Sequence, residues 1–288
     1  MINLTLSFLL RILPSIYKFH SPNNFVFKQL KKIIIFLVNK YKIKNKTEIC
    51  FFPYNINKSL KWPLKQLGNL DSYCFFELQE MILHMYYYVN RHRYKFAIDF
   101  GTNVGIDAMV LASFGIKTYG YEPDKEFLTF ANNVRKKNKI KNLKLFPYGI
   151  LDKSKTQIFI RVLGNLTANH IKGARDFYGK HKEIHCKFKS FNQMNIKEKP
   201  DLIKINIEGS ESKIAPTIPI KIWKNADVFI EVHNKYNRDN LWRFFKKNKL
   251  NFFSQKKNWN KCDKLDDLPL SNKEGYIFVS SKEKMRWS

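Results

Sequence analysis

The rhythm of apolar and polar positions changes near residue 95. Before it the pattern is irregular. An apolar N-terminal run is broken by Arg11 and Pro14, a second run, IIIFLV, occupies 33–38, and a loop carries Pro53 and Pro63. FFELQEMILHMYYYV (75–89) then has the apolar density of a packed helix. After residue 95, strand-like and helix-like segments alternate. KFAIDF (95–100) reads as a buried strand, VGIDAMVLASFG (104–115) as a helix stopped by glycine, and IKTYGYE (116–122) as a second strand. Pro123 and Asp124 open a helix that runs to residue 138, with Asp124 as its cap. LKLFPYG (143–149) is a third strand. TQIFIRV (156–162) and HCKFKSF (185–191) read as added strands. DLIKINIE (201–208) and DVFIEVH (227–233) are the fourth and fifth core strands, and NRDNLWRFFKKN (237–248) is a helix. LNFFSQ (250–255) and GYIFVSS (275–281) close the sheet. Such alternation requires an α/β fold: a mostly parallel sheet with helices on both faces. The expected division is a largely helical lobe over 1–92 and a sheet domain over 93–288. No repeat and no low-complexity linker interrupts the chain.

In such sheets ligands bind beyond the carboxyl ends of the strands, where strand order reverses. DFGTNVG (99–105) sits at the end of the first strand. Gly101 permits a sharp turn and close backbone approach, and Gly105 lets the next helix start tightly. A dinucleotide fingerprint requires G-x-G-x-x-G. Here Asn103 stands where the second glycine should be, and its side chain would crowd a pyrophosphate. Asp99, two residues before Gly101, suits a cationic ligand. S-adenosylmethionine has a sulfonium and an ammonium group and no phosphate. Glu122 ends the second strand 23 residues after Asp99. An acidic residue there can accept hydrogen bonds from ribose hydroxyls.

LIKINIEGSES (202–212) places charge on a buried strand. Alternation puts Lys204, Asn206 and Glu208 on one side of it. Carboxylates near a lysine in such a place point to a site or to a structural ion pair. Glu231 and His233 end the next strand in FIEVHN. By position and by its ordinary pKa, His233 is the best candidate for a general base.

Together these residues resemble the FkbM family of S-adenosylmethionine-dependent methyltransferases. The resemblance covers about 95–235: D-x-G-x-N-x-G (Asp99, Gly101, Asn103, Gly105), EPD (122–124), NVRKKN (133–138), I-K-x-x-I-E-G-x-E (203–211) and E-V-H (231–233). It implies a class I methyltransferase fold, with seven strands and the last antiparallel. It also implies O-methylation of a sugar, glycan or small metabolite. Asp99, Gly101, Asn103 and Gly105 would line the methionine part of the cofactor, Glu122 would hold the ribose, and the loop from Gly149 to Asp152 would meet the adenine. Where the family has aspartate in K-x-D-x-E-G, this chain has Asn206, which cannot act as a base. The catalytic candidates are therefore Glu208, His233, Asn206 and Lys204. No metal-binding set is read from the sequence.

Charge widens the choice of partner. Fifty-two basic residues face 24 acidic ones, a formal net charge of +28, spread along the chain. Nucleic acid, an anionic membrane surface and acidic substrates all suit such a charge. An AT-rich coding bias toward Lys, Asn, Ile and Phe produces the same excess. HMYYYVNRHRYK (84–95) mixes aromatic and basic residues, which keeps an RNA-modifying methyltransferase open. Loss of the aspartate keeps open a binding protein that has kept the fold and lost the chemistry. The four cysteines form no C-x-x-C pair, which argues against a zinc ribbon or dithiol centre. The apolar runs are too short to span a bilayer, and no basic segment and cleavage site mark a signal peptide. The expected location is the cytoplasm, with peripheral contact to an anionic membrane as the alternative for the 33–38 segment and its lysines.

Overall fold

A computed structural model describes residues 10–41, 48–51, 60–63, 76–163, 165–176 and 179–287. The N-terminal part supplies helix α1 (Phe25–Lys40), a hairpin of β1 (Glu48–Phe51) and β2 (Leu60–Pro63), and helix α2 (Leu78–Asn90). The alternating part then follows: β3 (Phe96–Phe100), α3 (Ile106–Ser113), β4 (Lys117–Tyr121), α4 (Lys125–Lys137), β5 (Leu143–Phe146) and β6 (Gly149–Ile150). After these come β7 (Lys155–Val162), β8 (His170–Ile171), β9 (His181–Lys189), β10 (Leu202–Ile205), and the one-turn helices α5 (Glu211–Ile214) and α6 (Ile220–Trp223). The chain closes with β11 (Asp227–Glu231), α7 (Lys235–Lys247), β12 (Asn251–Ser254), β13 (Asn260–Lys261) and β14 (Tyr276–Ser280).

Local chemistry sets the helix boundaries. Asp124 has extended backbone and its side chain accepts from Glu126 N at 2.9 Å, so α4 begins where the sequence places it. Phe127, Phe130, Ala131 and Val134 bury one stripe of that helix, and Arg135, Lys136 and Lys137 sit at its carbonyl end. Asn24 and Asn234 cap α1 and α7 in the same way.

The main sheet has the order β13-β12-β14-β11-β10-β3-β4-β5. β5, β4, β3, β10 and β11 are mutually parallel, and β14 enters antiparallel between β11 and β12. The chain winds outward from β3 on one side and returns through β10 on the other. This is a doubly wound sheet whose order reverses between β3 and β10. It is the Rossmann-like architecture of class I methyltransferases. Seven strands are those expected, and the two-residue β13 adds an eighth at the edge. The segments at 155–162 and 181–189 do not extend this sheet. With β6 and β8 they make a separate four-stranded sheet, because β7 and β9 pair with each other along their whole length.

The two faces of the main sheet carry two apolar cores. Alternation sends Phe96, Ile98, Phe100, Ile203 and Ile205 to the face covered by α7. Ala97, Leu202 and Phe229 go to the other face, where α2, α3 and α4 lie. Leu37 and Val38 of α1 and Tyr86 and Tyr87 of α2 belong to that same cluster. Tyr86 packs edge-on against Phe229 and Phe278. Most aromatic residues of HMYYYVNRHRYK are thus core: Tyr86, Tyr87 and Tyr94 are buried, Tyr88 is half-buried with Arg91 over its ring, and Arg93 pairs with Asp227. No helix among the described residues is long and apolar enough to cross a membrane.

Candidate functional site

At the carboxyl ends of β3, β4, β10 and β11 the loops enclose a cavity of about 800 Å³. One wall is the glycine turn. Gly101 N and Thr102 N both donate to Tyr121 O at 3.1 Å, tying the turn to the end of β4. Gly101 has φ +81°, and a Cβ on it would stand 1.7 Å from the Asn206 carbonyl oxygen. The first turn and the exit of β10 therefore touch backbone to backbone, and only glycine permits it. Asn103 also lies at positive φ, +53°, and Gly105 at +93°.

Glu122 joins the same wall from β4. Its carboxylate accepts from Asn103 N at 2.8 Å and from Asp124 N at 2.9 Å. It is 4% exposed, and burial pushes its pKa up to about 8. It still lines the cavity, with Gly149 and Ile150 beside it. Asp152 lies just past that pair, exposed and away from the cavity lining. Asp99 is 1% exposed and lies behind the turn, outside the lining, and burial raises its pKa to about 7. Among the described residues neither of its carboxylate oxygens has a hydrogen-bond partner.

Lys204 and Glu208 do not share a face. β10 ends at Ile205, and Glu208 takes φ +57°, which swings its side chain away from the alternation. Lys204 stands in register with Asp99 on the α2 and α3 side. There its ammonium pairs with Asp107 and lies 3.6 Å from Glu80. His84 Nε2 is 2.9 Å from the same Asp107. Burial alone would lower the lysine pKa, but Asp107 and Glu80 hold it well above its usual range. Burial alone would raise Asp107, but Lys204 and His84 hold it below. Burial raises Glu80 to about 8. The structure thus makes Lys204 the centre of a buried ion network. Asn206 lines the cavity, and its Oδ1 is buried without a partner among the described residues.

Glu208 pairs with Arg175 at the cavity wall. On its other side stands His233, 3.2 Å away through Nε2. His233 Nδ1 is 3.1 Å from Glu211, and Nε2 is 3.4 Å from Glu231. Burial would lower the imidazole, but Glu208 and Glu211 hold its pKa well above the ordinary value. The groups missed at the sequence level are Glu80, His84, Asp107 and Arg175. Glu80 and His84 carried a signal, an i,i+4 polar pair inside an apolar helix. So did Asp107 in IDAMVLA. Arg175 carried none.

No protein-family model and no curated protein matches the chain. Solved structures do. An rRNA methylase from Streptococcus thermophilus is 12% identical, covers 68% of this chain and 93% of its own, and has a TM-score of 0.39. Precorrin-6y C5,15-methyltransferase from Geobacter metallireducens GS-15 is 9% identical over 64% and 77%, with a TM-score of 0.36. Ribosomal protein L11 methylase from Lactobacillus delbrueckii subsp. bulgaricus is 12% identical over 68% and 76%, also at 0.36. At these scores the likenesses add no weight; the fold rests on strand order, and the function on the cavity.

Proposed function

We propose that the chain is an S-adenosylmethionine-dependent methyltransferase that acts on a hydroxyl of a sugar, glycan or small metabolite, as FkbM-type enzymes do. The observation that carries this reading is Glu122. It is fixed by two backbone N–H groups at the end of β4, one strand from the switch point, against a glycine turn that approaches Asn206 too closely for any side chain. The cofactor fits these residues. Its ribose hydroxyls can donate to Glu122, and its positive charges suit a lining that includes Glu77, Glu80 and Glu231. The cavity falls within the range of small-molecule sites.

When bound, S-adenosylmethionine would supply an electrophilic methyl group for the acceptor oxygen and would be left as a neutral thioether. The acceptor's proton would leave to Glu231 or Glu208, two of the carboxylates that line the cavity. Such a displacement depends mainly on positioning, so Asn206 in place of an acid does not abolish it.

The test is cofactor affinity against pH. Glu122 is raised, so it is neutral below about 8 and charged above it. Ribose hydroxyls bind the charged form better, and wild-type affinity is expected to rise from pH 6 to pH 9. Glu122→Gln should bind at least tenfold more weakly at pH 9 and lose the slope. An unchanged slope in the variant would remove Glu122 from the site. Folding takes the opposite sign: the neutral carboxyl favours the folded state, and this contribution is lost as pH rises through about 8.

The outer side of α1 suits an anionic membrane surface. Phe25, Ile33 and Phe36 are 71%, 44% and 60% exposed there, beside exposed Lys28, Lys32 and Lys40. Lys31 and Ile35 of the same helix line the cavity, so docking would place it at the lipid surface. The chain is expected to sediment with phosphatidylserine-containing vesicles at low salt, and Phe36→Asp to release it. Equal sedimentation of the variant would count against the helix as anchor.

A further inference from the structure

We infer that Glu208, Glu231 and His233 form a binding site for a divalent transition-metal cation at the floor of the cavity. One ligand atom from each lies within 4.8 Å of the other two. His233 Nε2 is 3.2 Å from the Glu208 oxygen and 3.4 Å from the Glu231 oxygen. With metal–ligand bonds of about 2.1 Å, neighbouring donors stand about 3.4 Å apart in a tetrahedral site and about 3.0 Å apart in an octahedral one. The two spacings at His233 Nε2 already match.

Two features separate this cluster from an ordinary ion pair. The first is the orphaned edge of the imidazole. The His233 side chain is 2% exposed, and Nε2 faces two carboxylates with no hydrogen-bond partner among the described residues. The second is Glu211 behind it. An ionised carboxylate only accepts, so Nδ1–H donates to Glu211 Oε1, and Nε2 is the nitrogen that would exchange its proton for a metal. Glu211 is itself 1% exposed and accepts from Gly209 N at 3.0 Å and Ile207 N at 3.3 Å. A buried carboxylate that orients a histidine toward a cation is the support that metal-bound histidines require.

The neighbouring trio Glu80, His84 and Asp107 has the same donor spacing, but the Lys204 ammonium already stands among its carboxylates. Among the described residues, the cations paired with Glu208 are His233 and Arg175. One imidazole and two carboxylates suit Mn²⁺ or Zn²⁺. Glu208 and Glu231 both line the cavity, so the cation's free positions would open toward an acceptor. A hydroxyl bound there is acidified, which supplies what Asn206 cannot. That purpose rests on the methyltransferase reading; the site itself does not.

The test is titration of the EDTA-stripped full chain with MnCl₂ alone, read by electron paramagnetic resonance. One saturable Mn²⁺ per chain is expected. Glu231→Gln and His233→Asn should each weaken it at least tenfold, and Glu211→Gln by about 10- to 100-fold. Arg175→Gln, which frees Glu208, should tighten it, and His84→Asn should leave it unchanged. Near-UV dichroism identifies any variant that fails to fold. No saturable binding to folded wild-type chain at millimolar Mn²⁺ would overturn the site. So would binding indifferent to Glu231→Gln, or binding lost in folded His84→Asn. Because no cofactor is present, failure here leaves the cofactor reading intact, and failure to bind cofactor leaves this site intact.

Discussion

Gly101→Ala is expected to lower stability by about 3 kcal/mol or more and to abolish measurable cofactor binding. Two costs combine. An alanine at φ +81° is strained by about 1–2 kcal/mol. Its Cβ would also meet the Asn206 carbonyl oxygen at 1.7 Å, and that atom belongs to backbone that cannot swing aside. The turn must therefore open, and with it go the two N–H bonds to Tyr121 O and the position of Asn103 N on Glu122. Gly115→Ala isolates the first cost. Gly115 has φ +88° and nothing within 4 Å of a built Cβ. Thermal denaturation should show a loss of about 1–2 kcal/mol there, with cofactor affinity unchanged. Equal effects at the two glycines would mean that strain alone acts at Gly101.

Lys204→Met is expected to cost about 3–5 kcal/mol, on the order of 10 °C in Tm. The side chain is 4% exposed, and removing its charge strands Asp107, Glu80 and Asp99 in the core. Such groups survive burial by taking up protons, so the variant should recover part of its stability as the pH is lowered from 8 to 5. The sign follows from linkage: a folded state that binds more protons than the unfolded one gains stability as pH falls. Asp107→Asn added to Lys204→Met should restore stability relative to the single variant, because a network removed together costs less than one left half-paired. A single variant as stable as wild type would show that the lysine is not the centre of the network.

Much of the frame was legible before any coordinates. The strands that make the switch point are short apolar runs bounded by glycine or acid, and Asp124 caps α4 as its position implied. Glu122 was legible for the same reason: a strand end fixes where its last side chain can be. Legibility failed where the chain leaves regular geometry. The alternation argument carried Lys204, Asn206 and Glu208 to one side, but the strand stops at Ile205 and Glu208 turns at positive φ. The partners of His233, Glu208 and Glu211, come from the turn and helix after β10 and cannot be read from its own strand. Asp152 lies only two residues past a cavity-lining pair, yet the turn after Ile150 carries it out to solvent. In the aromatic-basic stretch at 84–95 the helix sends residues to different faces, and Tyr86, Tyr87 and Tyr94 face inward.

Calorimetry of S-adenosylmethionine with the full chain at pH 8.5 tests the central claim most directly. The cavity described by Gly101, Asn103 and Glu122 predicts a single saturable site for S-adenosylmethionine, competition by S-adenosylhomocysteine, and no heat from NAD at the same concentration. Absence of S-adenosylmethionine binding at millimolar concentration, or displacement of it by NAD, would contradict the account.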